Sequence, residues 1–137
     1  MDADIMLVGQ NPGAEEDRTG RPFVGRAGQY LDKVLAQSGM QRSRMYLTSI
    51  VKCRTPGNRK PSSEEISVSI PYLVRQINHI APKLVVLMGK VAWHTPRCPG
   101  IAYVETYHPA AAMRFPEIRE RFENDFRKIG EQYGKKS

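Results

Sequence analysis

The chain reads as an α/β protein, a three-layer α/β/α sandwich around a four-stranded, largely parallel central sheet. Three observations predict this. Short apolar runs bounded by turn residues alternate with longer stretches of helical periodicity, as in βαβ units. Those runs are short, apolar and flanked by turn residues, as suits buried parallel strands. Two of them end in loops that combine Gly or Pro with a polar side chain, Gly9-Gln10-Asn11-Pro12-Gly13 and Thr106-Tyr107-His108-Pro109. Strand ends of this kind are where open α/β sheets bind ligands.

The strands are predicted at Asp4–Gly9, Met45–Val51, Lys83–Met88 and Ile101–Tyr107. Between the first two, Ala27–Ser38 forms a helix with Tyr30, Leu31, Val34 and Leu35 on one face and Gly39 as its stop. A second helix opens at the capping box Ser62-Ser63-Glu64-Glu65, after Pro61. It turns Ile66, Ile70, Leu73, Val74, Ile77 and Ile80 inward, and Pro71 predicts a kink or a restart. A short helix follows Gly89, with Val91, Ala92 and Trp93 packing inward. In the last helix Phe115, Ile118, Phe122, Phe126, Ile129 and Tyr133 recur at helical intervals and form a core-facing stripe. The tail Gly134–Ser137 is expected to fray. No internal repeat or linker divides the sequence, so residues 1–137 read as a single domain.

No apolar run approaches the roughly 20 residues of a membrane span. The start Met1-Asp2-Ala3-Asp4 lacks the basic and apolar regions of a signal peptide, so a soluble cytoplasmic protein is expected. The net charge of +7 favours polyanionic partners through steering and counterion release. Lys52, Arg54, Arg59 and Lys60 share one Pro/Gly-rich loop on the rim that carries the other strand-end loops, which points to phosphate contact over a merely solvated loop. The two cysteines, Cys53 and Cys98, are far apart and form no CxxC, so both are expected to be free thiols. The P-loop pattern, the dinucleotide pattern GxGxxG and the hydrolase pattern GxSxG are all absent.

The segment Gly9-Gln10-Asn11-Pro12-Gly13-Ala14-Glu15-Glu16-Asp17-Arg18-Thr19-Gly20-Arg21-Pro22-Phe23-Val24-Gly25-Arg26-Ala27-Gly28 resembles the first motif of the uracil-DNA glycosylase superfamily, nearest the family 4 type. Lys52-Cys53-Arg54-Thr55-Pro56-Gly57-Asn58-Arg59-Lys60-Pro61 is similar to its central loop, and Thr106-Tyr107-His108-Pro109-Ala110-Ala111-Ala112-Met113-Arg114 to its last motif. The resemblance spans nearly the whole chain. It implies an enzyme that flips deoxyuridine out of DNA and hydrolyses its N-glycosidic bond, leaving an abasic site.

Each requirement of that chemistry has a matching residue. Phe23 matches the aromatic on which the flipped base stacks. His108 matches the motif histidine that donates to the departing base, a role for which a neutral imidazole suffices, with backbone N–H groups around Gln10 and Asn11 adding donors. Asn11 sits where some members hold the attacking water with Asp or Asn, and Glu16 matches an acidic position of family 4; either governs the water. Glu15, Glu16 and Asp17 read equally well as a surface or helix-start acidic cluster. Lys52, Arg54, Arg59, Lys60 and Arg114 would contact phosphates, and Ala110 to Met113 would form a wedge loop in the minor groove. Lys52 is the lysine nearest the pocket motifs and its flanks read as phosphate contacts, which implies a monofunctional enzyme.

The chain departs from family 4 in three places. Family 4 reads Gly-Glu-Ala/Gly-Pro-Gly where this chain has Gln10 and Asn11. Family 4 holds a four-iron, four-sulfur cluster on four cysteines, two of them ahead of the first strand; here that segment is missing and Ser69 stands where a helix cysteine is expected, so no cluster is predicted. Ser49 replaces an Asn that reads the uracil edge, and Gly13 leaves space where family 1 enzymes exclude the thymine methyl group. Other deaminated or mismatched bases are therefore an alternative substrate class, and a non-catalytic DNA-binding module on the same fold is a further alternative. The expected partner is uracil-containing DNA, bound by a monomer associated with the nucleoid.

Overall fold

The computed structural model describes residues 4–10, 25–51 and 60–134. Four strands, β1 (Ile5–Gly9), β2 (Met45–Ser49), β3 (Leu84–Met88) and β4 (Ala102–Thr106), form one parallel sheet in the order β2-β1-β3-β4. Ile5 is in register with Met45 on one side and Leu84 on the other, and Leu84 with Ala102. Each strand lies inside the run predicted for it. Pairing beside β1 continues past the end of β2, because Ile50 N–H donates to the Gly9 carbonyl (2.9 Å) and Val51 N–H to the Gln10 carbonyl (3.0 Å).

The helices are α1 (Arg26–Gln37), α2 (Ser63–Ile80), α3 (Pro109–Arg114) and α4 (Pro116–Ile129), with 3-10 turns at Arg42–Arg44 and Ala92–His94 and a π-turn at Gly130–Gly134. The chain leaves β1 in one direction for β2 and then crosses back to β3. Right-handed crossovers therefore place α1 and α2 on opposite faces. The core divides accordingly. Ile5, Leu7, Leu84 and Val86 pack with Leu31, Leu35, Phe122 and Phe126 on the face of α1 and α4. Met6, Val8, Val85 and Leu87 pack with Ile66, Leu73, Ile77, Val91 and Ala92 on the face of α2. The expected three-layer sandwich is the fold, and burial on both faces explains the unbroken apolar runs of the central strands β1 and β3.

Local chemistry sets the helix boundaries. The capping box of α2 forms in both directions: Glu65 N–H donates to the Ser62 hydroxyl (3.1 Å) and Ser62 N–H to the Glu65 carboxylate (2.8 Å). Gly39, at φ +78°, ends α1, with Gly39 N–H on the Ala36 carbonyl and Met40 N–H on that of Leu35. Pro71 does not restart α2, which runs from Ser63 to Ile80. Ser67 and Pro71 both lie on its exposed side, so the missing ladder bond falls where water replaces it.

The predicted last helix is two helices. Pro116 disfavours helical backbone at Phe115, which is extended at φ −120°, ψ 116°. Phe115 thus leaves the expected core stripe and is 41% exposed, whereas Phe122, Phe126 and Ile129 are buried as predicted. At the far end Gly130 lies against α1, where an added Cβ would stand 2.0 Å from the Ser38 carbonyl oxygen.

Candidate active site at the carboxyl ends of the strands

The strand order brings the carboxyl ends of β2, β1, β3 and β4 into one row, and the chain reverses its direction of travel between β1 and β3. Such a switch point opens a crevice at the strand ends. Ser49 ends β2 in register with Gly9. Gln10 follows β1 and is half-buried. Gly89 follows β3, and His108 comes two residues after β4. Neighbouring strands lie about 4.8 Å apart, so the ends of β1 and β4 stand about 10 Å apart across β3.

His108 is held from several sides. It is the N-cap of α3, and its Nδ1 accepts the Ala110 backbone N–H at 3.0 Å, with Pro109 at the first helical position. A ring nitrogen that accepts a hydrogen bond carries no proton. The neutral imidazole therefore carries its proton on Nε2, as a donor. Beneath it lies Gly89, at φ +98°; a Cβ there would stand 3.3 Å from the His108 Cβ. Gly89 N–H donates to the Thr106 carbonyl at 2.9 Å. The Thr106 hydroxyl, fully buried, donates to Asp125 of α4 at 2.7 Å. The remaining histidines, His79 and His94, are both exposed.

Ser49 is already engaged, its hydroxyl donating to the Val51 carbonyl at 2.8 Å. In that state its only proton is committed, and the hydroxyl oxygen retains acceptor capacity alone. Lys60 is exposed just ahead of α2. Arg114 is exposed at the end of α3, its guanidinium 5.4 Å from the centre of the Phe115 ring. Residues Ala110 to Met113 form part of helix α3, which corrects the expectation of a wedge loop. Pro109 starts a helix there, Ala112 buries in the core, and Arg119 closes its end by donating to the Ala112 and Met113 carbonyls at 3.1 and 2.8 Å. Asn11, Gly13, Glu16, Phe23, Lys52, Arg54 and Arg59 lie outside the described residues.

Sequence reasoning treated Gly89 as a helix boundary and Trp93 as a packing residue, and missed Asp125. Their roles depend on contacts with the segment 106–108, which leave no local pattern. A glycine directly after a buried strand was the one available signal.

A four-iron, four-sulfur cluster does not fit these residues. It needs several thiolates, and the 137 residues hold two cysteines. Cys98 is half-buried beyond the 3-10 turn, its backbone N–H on the Tyr103 hydroxyl at 2.8 Å, and Ser69 offers α2 no thiol.

A doubly wound α/β domain with a helix-capping histidine at the rim of its strand-end crevice is the class of protein these features define. Residues 1–130 match the family model described as Uracil DNA glycosylase superfamily, and the chain belongs to that superfamily. It is 40% identical to a Type-4 uracil-DNA glycosylase of Archaeoglobus fulgidus, over 98% of this chain and 79% of that protein. It is 39% identical to one of Pyrobaculum aerophilum, over 91% and 76% respectively. A Type-4 enzyme of Thermotoga maritima is 47% identical over 67% of this chain and 48% of its own length.

Proposed function

We propose that this chain is a monofunctional DNA repair glycosylase that excises uracil. The observation that carries this reading is the His108 arrangement, in which Nδ1 is occupied by the Ala110 N–H and a proton is presented on Nε2. In the reaction the C1′–N1 bond breaks and its electron pair stays on the uracil, with charge gathering on O2. The oxygen of water bonds to C1′, the water proton leaves to solvent, and the departed base takes up a proton from solvent. A donor at His108 stabilises the charge on O2 as it develops. Asn11 or Glu16 orients the water, and Phe23 stacks on the flipped base. Gln10, Gly13 and Ser49 line the base, while Lys52, Arg54, Arg59, Lys60 and Arg114 hold phosphates. Residues 1–137 act as one domain and as a monomer in the cytoplasm, without an iron–sulfur cluster.

The engaged hydroxyl of Ser49 favours a second reading, in which the same site accepts other deaminated bases, because a committed hydroxyl reads the base edge less fully than an amide. The test is release of free base from oligonucleotides carrying uracil, hypoxanthine, xanthine or a G·T mismatch, with a chelator present and over a range of salt. Uracil release that weakens steeply with salt supports the reading. Preferential release of another base moves the substrate class. DNA binding with no alkali-labile product from any of them refutes an enzyme. A brown protein would overturn the cluster-free assignment.

A further inference from the structure

We infer that Trp93 is a positioning residue for His108, acting through the carbonyl of Thr106 and the ring of Tyr107. This rests on the reading of His108 as the group that stabilises the departing base.

The indole N–H of Trp93 is shared between two carbonyls, Leu87 of β3 at 3.2 Å and Thr106 of β4 at 2.9 Å. It ties together the ends of the two strands on either side of the histidine's support. The Thr106 carbonyl also accepts from Gly89 N–H at 2.9 Å, so both of its lone-pair directions are used. The Thr106 hydroxyl is fixed from the opposite layer by Asp125. One residue on, Tyr107 packs its ring 6.1 Å from that of Trp93 and accepts from Arg121 at 3.1 Å, with the guanidinium also 5.2 Å from its ring centre. The next residue is His108, lying on Gly89.

Trp93 itself is fixed by its own turn, its backbone N–H donating to the Gly89 carbonyl at 3.2 Å. The indole and Gly89 therefore belong to one small unit, which holds the segment 106–108 at three successive residues. A strand that has left its sheet ordinarily gains freedom within a residue or two. Here the three residues that carry the histidine out of the sheet are gripped from both helical layers. Without the indole N–H, Thr106 retains only its Gly89 bond at the carbonyl, and the backbone entering His108 loosens in the direction that moves the ring relative to the base. Displacements of a fraction of an ångström at a catalytic group are sufficient to slow a reaction.

The experiment is single-turnover release of uracil from a uracil-containing oligonucleotide by wild type, Trp93→Phe, His108→Ala and the double variant. Trp93→Phe keeps an aromatic ring and removes the N–H. It is expected to lower the maximal rate about tenfold while the half-saturating DNA concentration stays within about twofold. In the His108→Ala background the same change is expected to produce no further loss, since the group being positioned is gone. An equal loss in both backgrounds overturns the inference and leaves the role of His108 standing, as does a wild-type rate for Trp93→Phe. A wild-type rate for His108→Ala refutes the His108 reading itself, and the inference with it. Trp93 is the one tryptophan of the chain. If Trp93→Phe does not fold, benzothienylalanine incorporated in place of tryptophan removes the N–H with the ring shape kept, and the same pair of results decides.

Discussion

Gly89→Ala separates the support of His108 from the stability of the fold. Gly89 has φ +98°, where an alanine is strained by about 1–2 kcal/mol. The smaller entropy that alanine loses on folding offsets about 0.5–1 kcal/mol of this. The net loss is about 1 kcal/mol, or about 3–5 °C in Tm for a chain of this size. The new Cβ would stand 3.3 Å from the Cβ of His108, 3.8 Å from its N and 3.9 Å from its Cα. Contact at that distance asks His108 to yield by a few tenths of an ångström. Misplacement by 1 Å costs a reaction about 100-fold, so a rate loss of about tenfold is expected, well beyond what the small change in folded fraction explains. Thermal unfolding and single-turnover uracil release, both measured well below Tm, give the two quantities. A wild-type rate in a variant that has lost the expected stability would refute the idea that Gly89 sets the position of His108.

The remaining predictions concern stability and base choice. Gly130→Ala is expected to lose about 1–3 kcal/mol in urea unfolding, because the added Cβ meets the Ser38 carbonyl oxygen at 2.0 Å and the backbone must move; wild-type stability would contradict that approach. Burial, reinforced by its hydrogen bond to Glu123, pushes the Tyr30 hydroxyl up from its ordinary value, and burial raises Tyr103. Groups raised in the folded state contribute stability below their unfolded value of about 10 and lose it as pH climbs above, so Tyr30→Phe and Tyr103→Phe should each flatten the alkaline fall in urea midpoint. An unchanged slope in both would refute the assignment. Ser49→Asn replaces a hydroxyl committed to Val51 by an amide that offers both a donor and an acceptor, and should raise the ratio of uracil to hypoxanthine release about tenfold; an unchanged ratio removes Ser49 from base reading.

The sheet was legible because strands buried on both faces leave continuous apolar runs, and β1 and β3 are buried along their whole lengths. The capping box at Ser62 and the Gly39 stop were legible because both are local chemistry. The division of the last helix turned on Pro116, one residue beyond an aromatic whose spacing fitted the stripe; the preference of a residue before proline outweighs the periodicity. His108 was legible as a strand-end histidine, but its tautomer was not, since that depends on the Ala110 N–H of a helix the sequence reading took for a loop. Gly89, Trp93 and Asp125 converge on Thr106 from three elements, and contacts between elements have no spacing to read.

The most direct test of the site is single-turnover release of uracil from a deoxyuridine oligonucleotide by wild type and His108→Ala, each confirmed folded by its unfolding curve. Wild type is expected to release free uracil, and His108→Ala to slow the step by about 100-fold or more, the scale of losing a donor at a developing negative charge. Equal rates in the two proteins would contradict the site at the strand ends.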